Sequence, residues 1–205
     1  MKNPEQRKRS RIRRLMKWIV VPLCVLLFLV ASYVVYLEEW GNFRAITPGE
    51  AYRSARLDRD ELEYYIRKYG IKSILNLEGH RPMEPYYRDE VAVAKELGLA
   101  HFDLSLSART KPSPEAVDEL LNIFKVAPRP ILIHCKFGAD RSGLVAAMWK
   151  VIVDGEEKRV ASRQLSIRYF HLPFGAATAM DESFQEWEPN RKVQRVEEGV
   201  TQIKK

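Results

Sequence analysis

An apolar run, PILIHC at residues 130–135, stops on a cysteine and is followed by a short polar loop. A short apolar run bounded by prolines is typical of a strand that is buried on both faces of a sheet. The next segment, SGLVAAMWKVIVDG from residue 142, has the composition of a buried helix. A strand covered on both faces needs helices on both sides of its sheet, so this region predicts a layered α/β domain.

The chain after residue 58 alternates between strand and helix patterns. Two more strands are predicted for IKSILNLEG and LAHFDLSLS, and the second has alternating apolar residues at Phe102, Leu104 and Leu106. Helices are predicted for DRDELEYYIRKYG, EPYYRDEVAVAKELG, SPEAVDELLNIFKVA, EEKRVASRQLSIRYF and ATAMDESFQEW. This alternation predicts an α/β fold with a central, mostly parallel sheet of four to five strands flanked by helices.

The net charge of +7 is confined to the first 17 residues. Residues 1–17 contain eight lysines or arginines and one acid, which sum to +7, so residues 18–205 carry 26 basic and 26 acidic side chains. A domain with no net charge lacks the general electrostatic attraction on which nucleic-acid binding depends. The sequence therefore predicts no nucleic-acid partner.

Residues 18–37, WIVVPLCVLLFLVASYVVYL, contain no charged side chain. Twenty helical residues span about 30 Å, the thickness of the hydrocarbon core of a bilayer. With the basic arm before it, this segment predicts a single-pass anchor in the inner (plasma) membrane, with a cytoplasmic N-terminus and the rest of the chain in the periplasm. A cleaved signal peptide is the alternative, and it predicts the same extracytoplasmic compartment.

These patterns divide the chain into four parts. We predict a basic arm at residues 1–17, an anchor at 18–37, a folded domain at 41–188 and a polar tail at 189–205. The basic arm could also bind anionic lipid headgroups, although membrane topology alone explains it. A single anchor helix neither requires nor forbids a dimer, so the oligomeric state is left open.

The two cysteines of the chain fall in different parts of it. Cys24 lies inside the predicted anchor, which leaves Cys135 as the one cysteine of the folded domain and excludes a disulfide within it. No C-x-x-C or H-E-x-x-H spacing occurs, so we expect no metal and no cofactor. The histidines are scattered at His80, His101, His134 and His171.

The position of Cys135 predicts an anion site. It ends a central strand, at the edge where open α/β sheets bind their ligands. The loop at residues 136–140 leads into a helix, whose N-terminal amides and partial positive charge favour a bound anion. Arg141, at the mouth of the loop, can bind two oxygens of a phosphate. The same donors would stabilise a thiolate, which predicts a nucleophilic cysteine beneath a bound phosphate.

Six identities in this segment match a known signature, H-C-x-x-G-x-x-R-[ST]-G, and they lie at His134, Cys135, Gly138, Arg141, Ser142 and Gly143. The segment resembles the active-site loop of the cysteine-dependent protein tyrosine phosphatase superfamily. NFRAITPGEAYRSARL also resembles the opening of its compact atypical dual-specificity members of bacteria, whose fungal and plant relatives act on phosphoproteins or inositol phosphates. The resemblance covers residues 41–188 and implies a phosphatase-like fold that hydrolyses phosphate monoesters through a cysteinyl-phosphate.

The resemblance also implies roles for the residues of the loop. Cys135 would attack phosphorus, His134 would support the loop and the thiolate, and Ser142 would hydrogen-bond the departing sulfur. Arg141 would stabilise the transition state together with the loop amides. The phosphate-binding residues would be Lys136, Phe137, Gly138, Ala139, Asp140 and Arg141.

The proton donor is where this sequence departs from the family pattern. The family carries an aspartate on a loop upstream of the cysteine, but the corresponding loop here, SARTKPSP, has no acid. Asp103 lies 32 residues before Cys135, in the middle of a predicted strand, where a purely structural role is the alternative. Asp140 resembles an aspartate of the myotubularin type, although it could instead hold the shape of the loop. We favour Asp140.

Two residues outside the signature are further candidates. Arg53 in YRSAR could line the mouth of the site, with packing as the alternative. His171 in YFHLPFG is expected to be a packed loop histidine.

The substrate is predicted as phosphotyrosine, phosphoserine or phosphothreonine in a protein. The membrane anchor and Lys136 also fit a phosphoinositide, inositol phosphate or phospholipid headgroup. A rhodanese-type sulfurtransferase would also use a cysteine in an anion loop, but the spacing of the signature argues against it. A non-catalytic phosphate-binding module is the remaining alternative, because the loop acid is missing.

Overall fold

The structure is a computed structural model that describes residues 16–32 and 41–189. The chain divides into two compact units, Met1–Trp40 and Gly41–Lys205. In the first unit, the described residues 16–32 form a helix, α1. Among the residues that the structure describes, no helix is both long and apolar enough to cross a membrane.

Parts of three predicted segments lie outside the described residues. They are residues 1–15 of the predicted basic arm, residues 33–37 of the predicted anchor and residues 190–205 of the predicted tail. The four-part division of the chain therefore stays a prediction.

The second unit alternates strands and helices as expected. The strands are β1 (Arg44–Thr47), β2 (Ala51–Ser54), β3 (Ser73–Asn76), β4 (Ala100–Asp103) and β5 (Ile131–His134). The helices are α2 (Arg59–Tyr69), α3 (Pro85–Glu96), α4 (Pro114–Val126), α5 (Asp140–Ile152), α6 (Lys158–Ala161) and α7 (Thr178–Glu186). The predicted α/β class is confirmed.

The five strands form one mixed sheet in the order β1-β2-β5-β3-β4. Strand β1 is antiparallel to β2, and the other neighbours are parallel, so the predicted mostly parallel sheet is confirmed. At the carboxyl ends of the parallel strands, Ser54, His134, Asn76 and Asp103 lie side by side in register. Cys135 follows His134 directly, which places it at this edge, beside the centre of the sheet.

Apolar layers cover both faces of β5. Because successive residues of a strand point to opposite faces, Ile131 and Ile133 pack in one cluster and Leu132 in another. The first cluster includes Phe124 of α4 and most of the apolar side chains of α5. The second includes Ile66 of α2. Burial on both faces fixes the strand, and with it the position of the loop that follows.

One predicted helix is wrong over most of its length. EEKRVASRQLSIRYF folds as the short α6, followed by 3-10 turns at Ser162–Gln164 and Ile167–Tyr169. Gln164 is buried and accepts hydrogen bonds from the side chain of Arg53, and Phe170 ends the segment with a left-handed φ of 64°. This contact with β2 favours an irregular segment over a continuous helix.

Candidate active site

The loop between β5 and α5 surrounds a buried thiol. Cys135 is 2% exposed, and its Sγ lies 3.5 Å from Oγ of Ser142 in the first turn of α5. Gly138 has a φ of 66° and passes so close to β2 that its position leaves no room for a side chain. A hydroxyl at this distance can stabilise negative charge on the sulfur.

Two side chains hold the loop through its carbonyl groups. The fully buried Arg53 donates from Nη2 to the carbonyls of Gly138 and Ala139, at 2.9 and 2.8 Å. Asn42 donates from Nδ2 to the carbonyls of Phe137 and Gly138, at 3.2 and 3.1 Å. Because the C=O and N–H of a trans peptide point in opposite directions, the following amides face the other side of the loop. Such a row of amides is an anion-binding nest.

Arg53 does not line the mouth of the site, and the alternative, a packing role, applies instead. It lies behind the loop, between the loop carbonyls and Gln164, with its guanidinium 4.5 Å from the ring centroid of Tyr169. Burial lowers the pKa of Arg53 to about 10, so the side chain stays charged at neutral pH. A fixed positive charge behind the loop adds to the field that favours an anion in front of it.

Arg141 is held along one edge of its guanidinium group. Nη1 donates to the carbonyls of Leu77 and Leu106, at 3.3 and 3.4 Å, and Nη2 lies 3.6 Å from Oε2 of Glu78. Nε is buried without a hydrogen-bond partner in the described structure. A buried donor without a partner is costly, and an oxygen of a bound phosphate would satisfy it.

Glu78 orients this arginine and is itself tightly held. Arg56 donates to both of its carboxylate oxygens at 2.6 Å. Burial alone would raise the pKa of Glu78, but Arg56 and then Arg141 outweigh burial and lower it. The carboxylate is therefore ionised at neutral pH and can fix the orientation of Arg141.

His134 is buried behind the thiol, with Nε2 2.8 Å from Oε2 of Glu90. The other oxygen of Glu90 lies 2.8 Å from Nε2 of His101. Burial would raise the pKa of Glu90, but the two histidines lower it to about 2. Glu90 thus fixes the ring of His134, and sequence analysis had not identified it.

The structure separates the two candidate proton donors. Asp103 is the last residue of β4, not a mid-strand residue, and accepts hydrogen bonds from Nδ2 of Asn76 and from the hydroxyl of Tyr87. In register it lies two strands from His134, about 10 Å at the usual strand spacing. Asp140 begins α5 beside Arg141, and its Oδ1 lies 2.7 Å from Nδ1 of His171. Only Asp140 belongs to the loop itself.

The outer surface of the loop combines an aromatic ring with one cation. Phe137 is 58% exposed, and Nζ of Lys136 lies 5.1 Å from its ring centroid. Within residues 16–32 and 41–189, no group of three or more histidine, cysteine, aspartate or glutamate residues is arranged to hold a metal ion.

Comparison with known proteins identifies relatives of this chain. Residues 50–185 match the family described as PTP-NADK, DSP-PTPase phosphatase fused to NAD+ kinase. The dual specificity protein phosphatase TpbA of Pseudomonas aeruginosa is 44% identical over 36 residues, which are 18% of this chain and 16% of TpbA. The inositol diphosphatase SIW14 of Saccharomyces cerevisiae is 25% identical over 161 residues. That match covers 76% of this chain and 53% of SIW14, so the chain spans about half the length of the yeast relative.

Solved structures share the fold. The core catalytic domain of the PP-IP phosphatase SIW14 from S. cerevisiae superposes with a TM-score of 0.61 and 19% identity, covering 78% of this chain and 93% of that domain. TpbA of P. aeruginosa superposes with a TM-score of 0.53 and 20% identity, covering 72% of this chain and 85% of TpbA. At these identities, the likeness shows the fold alone.

Proposed function

This chain belongs to the PTP-NADK family of DSP-type phosphatases, and we propose that it hydrolyses phosphate monoesters of proteins through a cysteinyl-phosphate on Cys135. It is a cysteine-dependent hydrolase of the dual-specificity phosphatase type. The proposed reaction rests on one observation above all. A buried thiol lies at the start of a loop whose carbonyls at Phe137, Gly138 and Ala139 are bound by Asn42 and Arg53, which leaves the amides after them free to face an anion.

In the proposed first step, the sulfur of Cys135 bonds to phosphorus, and the bond from phosphorus to the ester oxygen breaks. Arg141 and the loop amides bind the phosphoryl oxygens, and they stabilise the charge that develops on them. In the second step, water attacks phosphorus and the sulfur leaves. The hydroxyl of Ser142, 3.5 Å from Sγ, supports the thiolate that forms. His134 keeps the end of β5 in place through Glu90.

The surface around the loop supports an aryl phosphate as substrate. The exposed ring of Phe137 offers an apolar face against which the phenyl ring of phosphotyrosine can stack. Residues 18–205 have no net charge, so no broad positive field is available to attract a polyanion. Both features support phosphotyrosine in a protein over a highly phosphorylated small molecule.

An inositol phosphate is the second candidate. It is supported by the match with the inositol diphosphatase SIW14, which extends over 76% of this chain. Lys136, on the loop itself, could bind an additional phosphate. A lipid headgroup carrying the same phosphorylated ring belongs to this chemical class.

A comparison of substrates distinguishes these candidates. The full chain is assayed in a metal chelator with a phosphotyrosine peptide, a phosphoserine peptide and an inositol diphosphate. We expect the highest kcat/KM for the phosphotyrosine peptide, and Phe137→Ala should lower that value about 10-fold, the equivalent of roughly 1.4 kcal/mol of lost stacking. Lys136→Gln is the matched control on the same loop. Faster turnover of the inositol diphosphate, with a larger loss in the lysine variant, would contradict the assignment.

The N-terminal segment is proposed to anchor the chain in the inner membrane, with the catalytic domain in the periplasm. The proposal is supported by the uncharged run at residues 18–37 and by the eight basic residues before it. Within α1, large apolar side chains such as Trp18 and Phe28 are exposed.

Alkaline extraction of bacterial membranes tests this anchor. We expect the full chain to remain in the membrane pellet, because a hydrophobic helix is not released by the loss of charge interactions. A version that begins at residue 41 should be recovered in the soluble fraction. Release of the full chain by alkali would overturn the proposed anchor.

A further inference from the structure

The side chain of His171 is fully buried between two carboxylates. Nδ1 lies 2.7 Å from Oδ1 of Asp140, and Nε2 lies 2.9 Å from Oδ2 of Asp181. Asp140 begins α5 at the end of the phosphate loop, and Asp181 lies in the first turn of α7. A continuous chain of three ionisable groups therefore runs from α7 to the loop that carries Cys135.

This arrangement favours the protonated form of the histidine. A ring that contacts a carboxylate at each nitrogen can donate to both only as the imidazolium ion. Burial alone would lower the pKa of His171, but Asp140 and Asp181 outweigh it and raise the pKa above 6.5. The charged groups that act on the ring are Asp140 and Asp181, and Arg53 in turn interacts with Asp140. The imidazolium thus holds a mobile proton one hydrogen bond away from Asp140.

We propose that His171 and Asp181 are positioning residues that supply, through Asp140, the proton taken up by the leaving group. The inference rests on the phosphatase mechanism proposed above. It assigns a proton source in a chain whose upstream loop has no acid.

The proposed proton transfer is balanced over the two steps. As the bond from phosphorus to the ester oxygen breaks, its electron pair goes to that oxygen, which takes up a proton relayed from His171 by the carboxylate of Asp140. Nδ1 of His171 gives its proton to Asp140. The ring is then neutral, and its remaining N–H, at Nε2, still donates to Asp181. In the second step, the attacking water loses a proton through Asp140 to Nδ1. The bond from phosphorus to sulfur breaks, its electron pair returns to Cys135, and the imidazolium is restored.

Asp103 accepts its hydrogen bonds from two neutral groups, the amide of Asn76 and the hydroxyl of Tyr87. Nδ1 of His80 and Nδ1 of His101 lie farther away, at 3.5 and 4.0 Å from Oδ2 of Asp103. Burial and then Asp103 itself raise the pKa of Tyr87 well above 10, so this hydroxyl keeps its proton. Asp140, in contrast, contacts His171, whose imidazolium form can release a proton.

The leaving-group dependence of kcat/KM tests the inference. The full chain and its His171→Gln variant are assayed with aryl phosphates, from dinitrophenyl phosphate, whose leaving group needs no proton, to phenyl phosphate. With phenyl phosphate, we expect kcat/KM of the variant to fall by about 10²-fold or more, the size typical of general acid catalysis. With dinitrophenyl phosphate, kcat/KM should fall by less than about 3-fold. A loss of equal size for all substrates would overturn the inference.

The pH profile gives a second readout that a packing role would not change. The proton is present below the folded-state pKa of His171, so kcat/KM for phenyl phosphate should fall as pH rises through that pKa. His171→Gln should lack this basic limb. Asp181→Asn removes one of the two carboxylates that contact the ring. The pKa of His171 should then fall, and the basic limb should shift to lower pH. An unchanged limb in both variants would also overturn the inference.

Asn42→Ala is the matched control, because it loosens the loop without contacting the proton chain. It should lower kcat/KM by the same factor for every leaving group. The proposed function itself fails only if the wild-type chain neither turns over any of these esters nor forms a phosphocysteine, a result distinct from all those above.

Discussion

Replacing Cys135 by serine is expected to lower turnover of an aryl phosphate by at least about 10⁴-fold, which is the scale of losing a catalytic nucleophile. A serine hydroxyl is a far weaker nucleophile at neutral pH than a thiolate. The thiol is buried against Ser142, so the smaller hydroxyl fits without rearrangement of the loop. Binding of inorganic phosphate, measured by calorimetry, should therefore persist in the variant.

The second cysteine of the chain provides the control. Cys24→Ser changes the same functional group in α1, and it should leave turnover at the wild-type level. Wild-type turnover in Cys135→Ser would show that the reaction does not pass through this sulfur. A loss of phosphate binding together with turnover would show instead that the substitution had disrupted the loop.

Substituting alanine at Gly138 is expected to have the second-largest effect. The residue has a φ of 66°, and an added Cβ would lie 2.5 Å from the nitrogen of Ala55 and 2.6 Å from the carbonyl carbon of Ser54. Both are backbone atoms, so the clash can only be relieved by moving the loop away from β2. We expect kcat/KM to fall about 10²-fold, and the free energy of unfolding to fall by about 1–3 kcal/mol.

Gly155→Ala separates the clash from the backbone strain. Gly155 has a φ of 69°, and an added Cβ would meet no atom within 4 Å. This variant should lose about 1 kcal/mol of stability and keep its kcat/KM. Equal activities in the two alanine variants, measured beside thermal unfolding, would contradict the close packing of Gly138 against β2.

The central strand, the loop and the helix after it could be predicted from the sequence, because their signals are local. An apolar run bounded by prolines predicts β5, and the spacing of Cys135 and Arg141 identifies the loop. Strands β1 and β2 were missed, because each contains a charged side chain, Arg44 in β1 and Arg53 in β2. The charge of Arg53 is buried only because carbonyls more than 80 positions away along the chain accept its hydrogen bonds.

The supporting residues of the site could not be predicted, because their partners also lie far away along the chain. Glu90 contacts His134 from a helix three elements earlier, and no spacing in the sequence indicates this pair. His171 is buried, as expected for a packed loop histidine, but its two carboxylates come from different helices. The sequence shows no spacing pattern for these contacts, because each partner is a single residue from a different element. Only the folded chain brings the three groups together.

The central claim is that phosphate is transferred to Cys135, and trapping this intermediate tests it most directly. The full chain is mixed with excess dinitrophenyl phosphate and quenched in acid within milliseconds, and its peptides are analysed by mass spectrometry. We expect one added phosphoryl group on the peptide that contains Cys135, and this group should disappear when the substrate is exhausted. Release of dinitrophenol without a phosphorylated cysteine would contradict it.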